Sequence, residues 1–341
     1  MELNKIYEGT CLDVIRTFPD KSIDCVITSP PYWQLRDYGW SGQWGMEKTF
    51  VEYLEHLWEL MDEIHRVLKD EGTCWVNLGD TYGSFRGKSG CHADKFERNG
   101  RANKDVVSVK HVIDRPNKSS FEKCLLLIPH RFAIGCIDKG WIVRNDIVWA
   151  KRNGMPESVT DRFTKKHEYF FFMVKNEKYF FDLDSIRLTP KEVTIERMKR
   201  GVSENNKWVN GADGQTPHNL SKGRANTKYT DGGRIGFTGE KSTEGHINGS
   251  NPGSVSDFWD IPTQPSKDEH FASYNTKLID KPIVAGCPKG GIILDPFCGT
   301  ATTGCRAIDL QRKFIGIEGS SEYVKIGNKK LLPFQITQQL F

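Results

Sequence analysis

The sequence predicts an α/β protein of Rossmann-like type, built on a mostly parallel central sheet, and three observations carry that expectation. Short apolar, β-branched runs at 23–28, 74–78, 292–294 and 313–317 alternate with stretches whose apolar residues recur at helical spacing. The stretch 291–318 reads as strand, tight small-residue turn, helix and strand, which is the pattern of a βαβ unit. Two of the apolar runs stop abruptly, one at consecutive prolines and the other at a Pro- and Gly-containing turn, as strands do at the edge where loops carry chemistry.

Taken in order, residues 23–28 form a buried strand that Pro30 and Pro31 terminate. The next segment, 50–68, places Leu54, Leu57, Trp58, Met61, Ile64 and Leu68 on one helical face, with Lys69, Asp70, Glu71 and Gly72 as the stop before a strand at 74–78. From 84 to 120 the pattern vanishes; nine Lys and Arg against four Asp and Glu make this a basic loop. A helix near 125–138 and a strand at 141–150 follow, then strands at 168–175 and 179–181 joined at Asn176-Glu177 in a hairpin. Residues 190–255 hold 11 glycines and little periodicity. A helix-strand-helix-strand-helix series at 274–332 completes the chain.

Composition bounds the function without choosing it. With 341 residues, 37% of them hydrophobic, the chain can bury a substantial core, and a net charge of +4 leaves nucleic-acid binding to local patches. Nine cysteines without a small-domain spacing framework point to a reducing compartment, and no apolar run approaches the ~20 residues that span a bilayer. The expectation is a soluble cytoplasmic protein. Cys91 with His92, and Cys298 with Cys305, lack the spacing of a metal site, so no metal is expected.

Two motifs carry chemistry. At Ser29-Pro30-Pro31-Tyr32 the prolines fix the backbone, so Ser29 Oγ and the Pro30 carbonyl present rigid acceptors beside the ring faces of Tyr32 and Trp33. Such a clamp suits a planar amine, and a nucleobase stacked on an aromatic side chain gains about 1–3 kcal/mol. At Asp295-Pro296-Phe297-Cys298-Gly299-Thr300 an acid ends a strand and small residues open a helix, letting backbone approach a ligand closely. Asp295 there suits an ammonium group. Glu318, about 20 residues on from the turn, sits where an acid grips a ribose diol.

Thr28-Ser29-Pro30-Pro31-Tyr32-Trp33 together with Asp295-Pro296-Phe297-Cys298-Gly299-Thr300 resembles the β group of amino-methylating DNA methyltransferases, in which the catalytic motif precedes the cofactor motif. Further matches include Gly79-Asp80-Thr81-Tyr82, Trp149-Ala150-Lys151, Met155-Pro156-Glu157-Ser158, His167-Glu168-Tyr169-Phe170 and His270-Phe271-Ala272-Ser273. Gly299-Thr300-Ala301 stands where the family usually has Gly-Ser-Gly, and Lys151-Arg152-Asn153 replaces Lys-Pro-Asn. Thr10, before Cys11, replaces a common acid, which puts an adenine-ring contact there in doubt.

The resemblance implies a Rossmann-like methyltransferase fold of permuted motif order. One domain is formed by 1–189 and 256–341, interrupted by a target-recognition insert at 190–255. It implies S-adenosylmethionine as cofactor, held by Asp295 to Thr300, Glu318, Thr10, Cys11 and Ser273, and double-stranded DNA as substrate. Ser29, Pro30, Pro31 and Tyr32 form the catalytic clamp for an extruded base. Trp33, Lys151, Asn153, Arg197, Arg200, Arg224 and Arg234 are the candidate DNA contacts, and Trp208 or Tyr229 would fill the hole left in the duplex. Serine at the first motif position is commoner among N4-cytosine enzymes of the family and aspartate among N6-adenine enzymes, so N4 of cytosine is favoured over N6 of adenine. An RNA or protein-amide amine stands as a further alternative. A C5-cytosine methylase would need a nucleophilic cysteine after a proline, and the chain has no Pro-Cys pair. A prokaryotic or phage origin, a cognate restriction endonuclease, and a monomer or homodimer complete these expectations.

Overall fold

A computed structural model of the chain describes residues 1–40, 42–83, 121–154, 156–187, 255–263 and 275–339. The chain divides into two compact units, Met1–Phe181 with Asp257–Phe341, and Asp182–Ser256. In the second, the described residues hold one turn of 3-10 helix, Asp184–Ile186.

The first unit is organised by eight strands: β1 (Lys5–Glu8), β2 (Ile23–Thr28), β3 (Leu68–Leu78), β4 (Ile142–Ala150), β5 (His167–Val174), β6 (Phe258–Asp260), β7 (Ile292–Asp295) and β8 (Lys313–Glu318). They make one sheet in the order β1-β8-β7-β2-β3-β5-β4-β6. All neighbours pair in parallel except β5, which runs antiparallel between β3 and β4. The α/β, mostly parallel expectation therefore holds. Its permuted order is visible in the sheet: β2, early in the chain, lies beside β7, late in the chain.

Among the described residues six helices cover the sheet: α1 (Cys11–Ile15), α2 (Phe50–Val67), α3 (Ile128–Asp138), α4 (Thr276–Gly286), α5 (Thr302–Asp309) and α6 (Ser321–Gln339). The pleat sends Val26 of β2 into one apolar core with α1, α2 and α3, and Cys25 and Ile27 into the other with α4, α5 and α6. Helix α2 is set by sequence alone. Thr49 caps it in a capping box with Glu52, and Leu54, Leu57, Met61 and Ile64 make a buried stripe at helical spacing.

Two local expectations differ from the structure. Helix α2 ends at Val67, just before Lys69-Asp70-Glu71-Gly72 as expected, but that polar segment is not a connection ahead of the strand. It lies within β3, whose register against β2 jumps from Ile23↔Leu68 to Cys25↔Thr73, so Asp70 and Glu71 bulge out into solvent while Gly72 stays buried. Residues 179–181 form no hairpin strand. Phe180 donates its amide to the Glu71 carbonyl, and Phe181 stacks on Phe172 at 5.4 Å, so ring packing rather than a ladder holds this segment. The short edge strand β1 carries too little pattern to read from sequence. The basic loop 84–120 and most of the insert, 190–254, lie outside the described residues, as do Ser273, Arg197, Arg200, Arg224, Arg234, Trp208 and Tyr229. Among the described residues no helix is long and apolar enough to cross a membrane.

Candidate active site

In a parallel sheet the carboxyl ends of the strands share one edge, and ligands bind where the chain order reverses. Here that edge gathers Gly9-Thr10 after β1, Ser29 to Tyr32 after β2, Asn77 near the end of β3, Lys151 after β4, Asp295 to Thr300 from β7, and Glu318 of β8. Antiparallel β5 opens at the same edge and adds Glu168. All of these line one cavity of about 340 Å³.

The two motifs are tied together directly. Thr28 Oγ1 donates to Asp295 Oδ1 at 2.8 Å, and Thr303 Oγ1 donates to Asp295 Oδ2 at 2.5 Å. The Phe297 amide donates to Asp295 Oδ1 at 3.1 Å. Asp295 is only 2% exposed; its carboxylate is a bracket that fastens β2, the turn after β7 and α5. Gly299 has φ +51°, and a Cβ there would meet no protein atom within 4 Å, so the turn leaves open space on the cavity side. Its amide donates to Glu318 Oε2 at 3.0 Å while the Ser320 amide donates to Oε1 at 2.8 Å. Burial raises the Glu318 carboxyl above its ordinary range against the pull of these amides. Ala301, where the family has glycine, is left-handed at φ 64°, a conformation that costs an L-residue about 1–2 kcal/mol.

Thr10 caps α1, its hydroxyl oxygen accepting from the Asp13 amide, and Cys11 is buried with its thiol pushed far up by burial. Burial likewise raises Cys298. Neither thiol is a nucleophile at neutral pH.

The clamp is held from behind by side chains to which the sequence assigned no such role. Tyr53 Oη donates to the Pro31 carbonyl at 2.8 Å. Tyr32 Oη lies 2.8 Å from Glu168 Oε2 and 3.0 Å from Asn77 Oδ1. Burial, and then the charge of Glu168, push the Tyr32 phenol well above its usual range, so it stays a neutral donor. Its single proton is shared between two acceptors, and the charged Glu168 carboxylate is a stronger one than the Asn77 carbonyl oxygen. Asn77 Nδ2 donates to the Tyr169 carbonyl at 3.0 Å, and this fixes Asn77 Oδ1 toward Ser29 Oγ, 3.3 Å away. The Ser29 proton is thereby drawn to the Asn77 side, and the lone pairs of Ser29 are left for the cavity. Lys151 Nζ pairs with Glu168 Oε1 and stands 4.3 Å over the Trp149 ring.

Two candidate DNA contacts serve the protein itself. Trp33 donates its Nε1 proton to the Glu47 carbonyl at 3.0 Å and packs edge-on against Phe50. Asn153 holds Thr263 through both of its amide atoms, anchoring the segment that carries β6. The loop after the clamp supplies an aromatic wall that motif reading overlooked, with Tyr38, Trp40 and Trp44 in the cavity lining beside Phe297 and Tyr323. Gly319 is required by this wall, because a Cβ there would meet the Trp40 ring at 2.2 Å. The sequence signal was the run Tyr38-Gly39-Trp40.

Residues 23–329 match a family described as DNA methylase, of the N6/N4 methyltransferase type. The chain belongs to the N6/N4 DNA methylase family. This methylase is 34% identical over 333 residues to the type II methyltransferase M.Cfr9I of Citrobacter freundii, covering 97% of this chain and 89% of the relative. Its fold is that of the PvuII DNA methyltransferase, cytosine-N4-specific, at a TM-score of 0.55 and 16% identity over 96% of this chain and 90% of that one. It is also that of TTHA0409 from Thermus thermophilus, solved with S-adenosyl-L-methionine, at a TM-score of 0.53 and 18% identity over 97% and 95% of the two chains.

Proposed function

We propose that this DNA methylase transfers a methyl group from S-adenosylmethionine to the exocyclic amine at N4 of a cytosine extruded from duplex DNA. The observation that carries this reading is the polarity of Ser29. Its proton is engaged by Asn77, so it meets an incoming N–H as an acceptor. Cytosine rather than adenine rests on serine at this position.

S-adenosylmethionine supplies a methyl group already activated by the positive sulfur. The residues present fit it. Glu318, its carboxylate at the end of β8, suits the ribose hydroxyls; Trp40, Phe297 and Tyr323 wall the adenine; and the open face of Gly299 admits the chain of the ligand. Asp295, spent on the bracket, keeps the turn in shape and supports cofactor binding through it.

The clamp acts by orientation. Ser29 Oγ and the Pro30 carbonyl accept both amine protons, which draws the nitrogen lone pair out of conjugation with the ring and holds it along one direction. Tyr32 gives the base a flat seat, tethered by Glu168 and Asn77. Holding reactants in line is worth up to about 7–11 kcal/mol of barrier, and no covalent intermediate with the protein is required. The insert 190–255 supplies target recognition, with Arg197, Arg200, Arg224 and Arg234 on the DNA. A cognate endonuclease is in keeping with the type II designation of M.Cfr9I. Incubation of the purified protein with radiolabelled S-adenosylmethionine and duplex DNA, RNA or protein tests the reading: label in the duplex alone is expected, and label only in RNA or protein overturns it.

A further inference from the structure

The loop between β4 and β5 holds an apolar side chain that methyl transfer does not use. It leaves the sheet at Lys151 and returns at Lys166, whose carbonyl accepts from the Lys151 amide at 2.8 Å, and Lys151 and Glu168 at its feet line the cavity. The loop is fastened along its length. Asp161 pairs with Lys123 at 2.8 Å, Arg162 pairs with Glu157 at 2.6 Å and stands 4.0 Å over the Tyr82 ring, and Lys165 donates to the Asp80 carbonyl. Between these fastened residues Phe163 is 97% exposed; the next most exposed large apolar side chain among the described residues is Ile134 at 59%. Its carbonyl accepts from Arg162 Nη1 at 3.2 Å, so the backbone beneath the ring is held too. A fully solvated phenylalanine on a fixed loop is held out rather than left loose. It stands in the basic run Arg162-Phe163-Thr164-Lys165-Lys166, on the same edge as the clamp.

A base inside a duplex cannot reach the bottom of this cavity, so it must leave the stack, and proteins that unstack DNA insert apolar wedges between base steps. We propose that Phe163, rather than Trp208 or Tyr229 of the insert, is the wedge that enters the duplex and occupies the place the target base leaves. This rests on the reading of the protein as a methylase of duplex DNA. A ring on a pinned loop loses little freedom on insertion, and the exposed Lys166 of the same run adds positive charge for the phosphate backbone.

The test uses a duplex carrying the recognition sequence mapped in an expressing host, with 2-aminopurine beside the target base, whose fluorescence rises when stacking breaks. Wild-type protein is expected to raise the fluorescence, with Phe163→Ala failing to do so and Phe163→Trp restoring it. Phe163→Ala is also expected to lower kcat/KM about tenfold on the paired duplex and to recover when an abasic site opposes the target, since a base without a partner needs no wedge. Thermal melting of the variant should match wild type. Wild-type fluorescence and kinetics in Phe163→Ala would overturn the proposal, as would equal loss on paired and abasic duplexes. Failure of the methylation reading is separate: it would show as absence of methyl transfer by wild type at the mapping step, before Phe163 is varied.

Discussion

Asn77→Leu removes the group that sets the polarity of Ser29 while leaving the clamp's backbone in place. Asn77 is 1% exposed and has three ties, one given to the Tyr169 carbonyl at 3.0 Å, one taken from Ser29 at 3.3 Å and one shared from Tyr32 at 3.0 Å. A buried hydrogen bond is worth about 0.5–1.5 kcal/mol net, and the second of these is long, so the stability loss should be about 1–3 kcal/mol. That leaves a folded domain. The catalytic cost comes from the freed hydroxyl. A rotor with three staggered positions instead of one forfeits about RT ln 3, and donation into the cavity would oppose the amine, so kcat should fall about three- to tenfold. The cofactor side of the cavity, Gly299 and Glu318, does not touch Asn77, so the Kd for S-adenosylhomocysteine should not move. Urea melts, steady-state kinetics and calorimetric titration measure the three quantities. An unchanged kcat in a destabilised variant would refute the alignment argument and leave Asn77 a packing residue.

Other outcomes follow from the same geometry. Gly299→Ala adds a methyl to the open side of the turn at a positive φ; it should lower stability by about 1–2 kcal/mol and weaken S-adenosylhomocysteine binding by calorimetry, and unchanged affinity would place the ligand elsewhere. Tyr32→Phe keeps the ring but strips Glu168 Oε2 of its donor; a loss of about 1.5–3 kcal/mol in urea melts is expected, with KM for DNA far less affected than in Tyr32→Ala, and equal KM for the two variants would deny the ring its seat. Because burial raises the Glu318 carboxyl above its ordinary value of 4.5, the folded chain binds that proton more tightly than the unfolded chain. This contribution to stability is present below 4.5 and is lost as pH rises through the raised value. Denaturant melts across that window should show the slope in wild type and not in Glu318→Gln, and a wild-type contribution that grows with pH would contradict it.

How much of this was legible in the sequence follows from what kind of signal each part leaves. The ends of β2 and β7 were readable because prolines and glycines punctuate short β-branched runs, and punctuation is local. Glu318 was readable because a βαβ unit fixes the distance from turn to acid. Asn77 and Glu168 as partners of the clamp were not, because Asn77 reaches Ser29 through the parallel register of β2 with β3, in which Thr28 lies opposite Val76, and Glu168 reaches Tyr32 through the antiparallel pairing of β5 with β3. Those registers join residues far apart in the chain and leave no periodicity. Asp295 shows the converse: its place was evident, but its bracket to Thr28 and Thr303 depends on β2 and β7 being neighbours, a consequence of permuted order. The hairpin expected at 179–181 did not form because alternating aromatics serve a ring stack as readily as a ladder.

The central claim is that Ser29 receives the amine of cytosine. Expressing the chain in a host free of DNA methylation, with Ser29→Ala alongside, and digesting the DNA to nucleosides for mass spectrometry tests it most directly. N4-methylcytosine from wild type, sharply reduced in Ser29→Ala, is the predicted result; N6-methyladenine alone, or undiminished N4-methylcytosine in Ser29→Ala, would contradict the account.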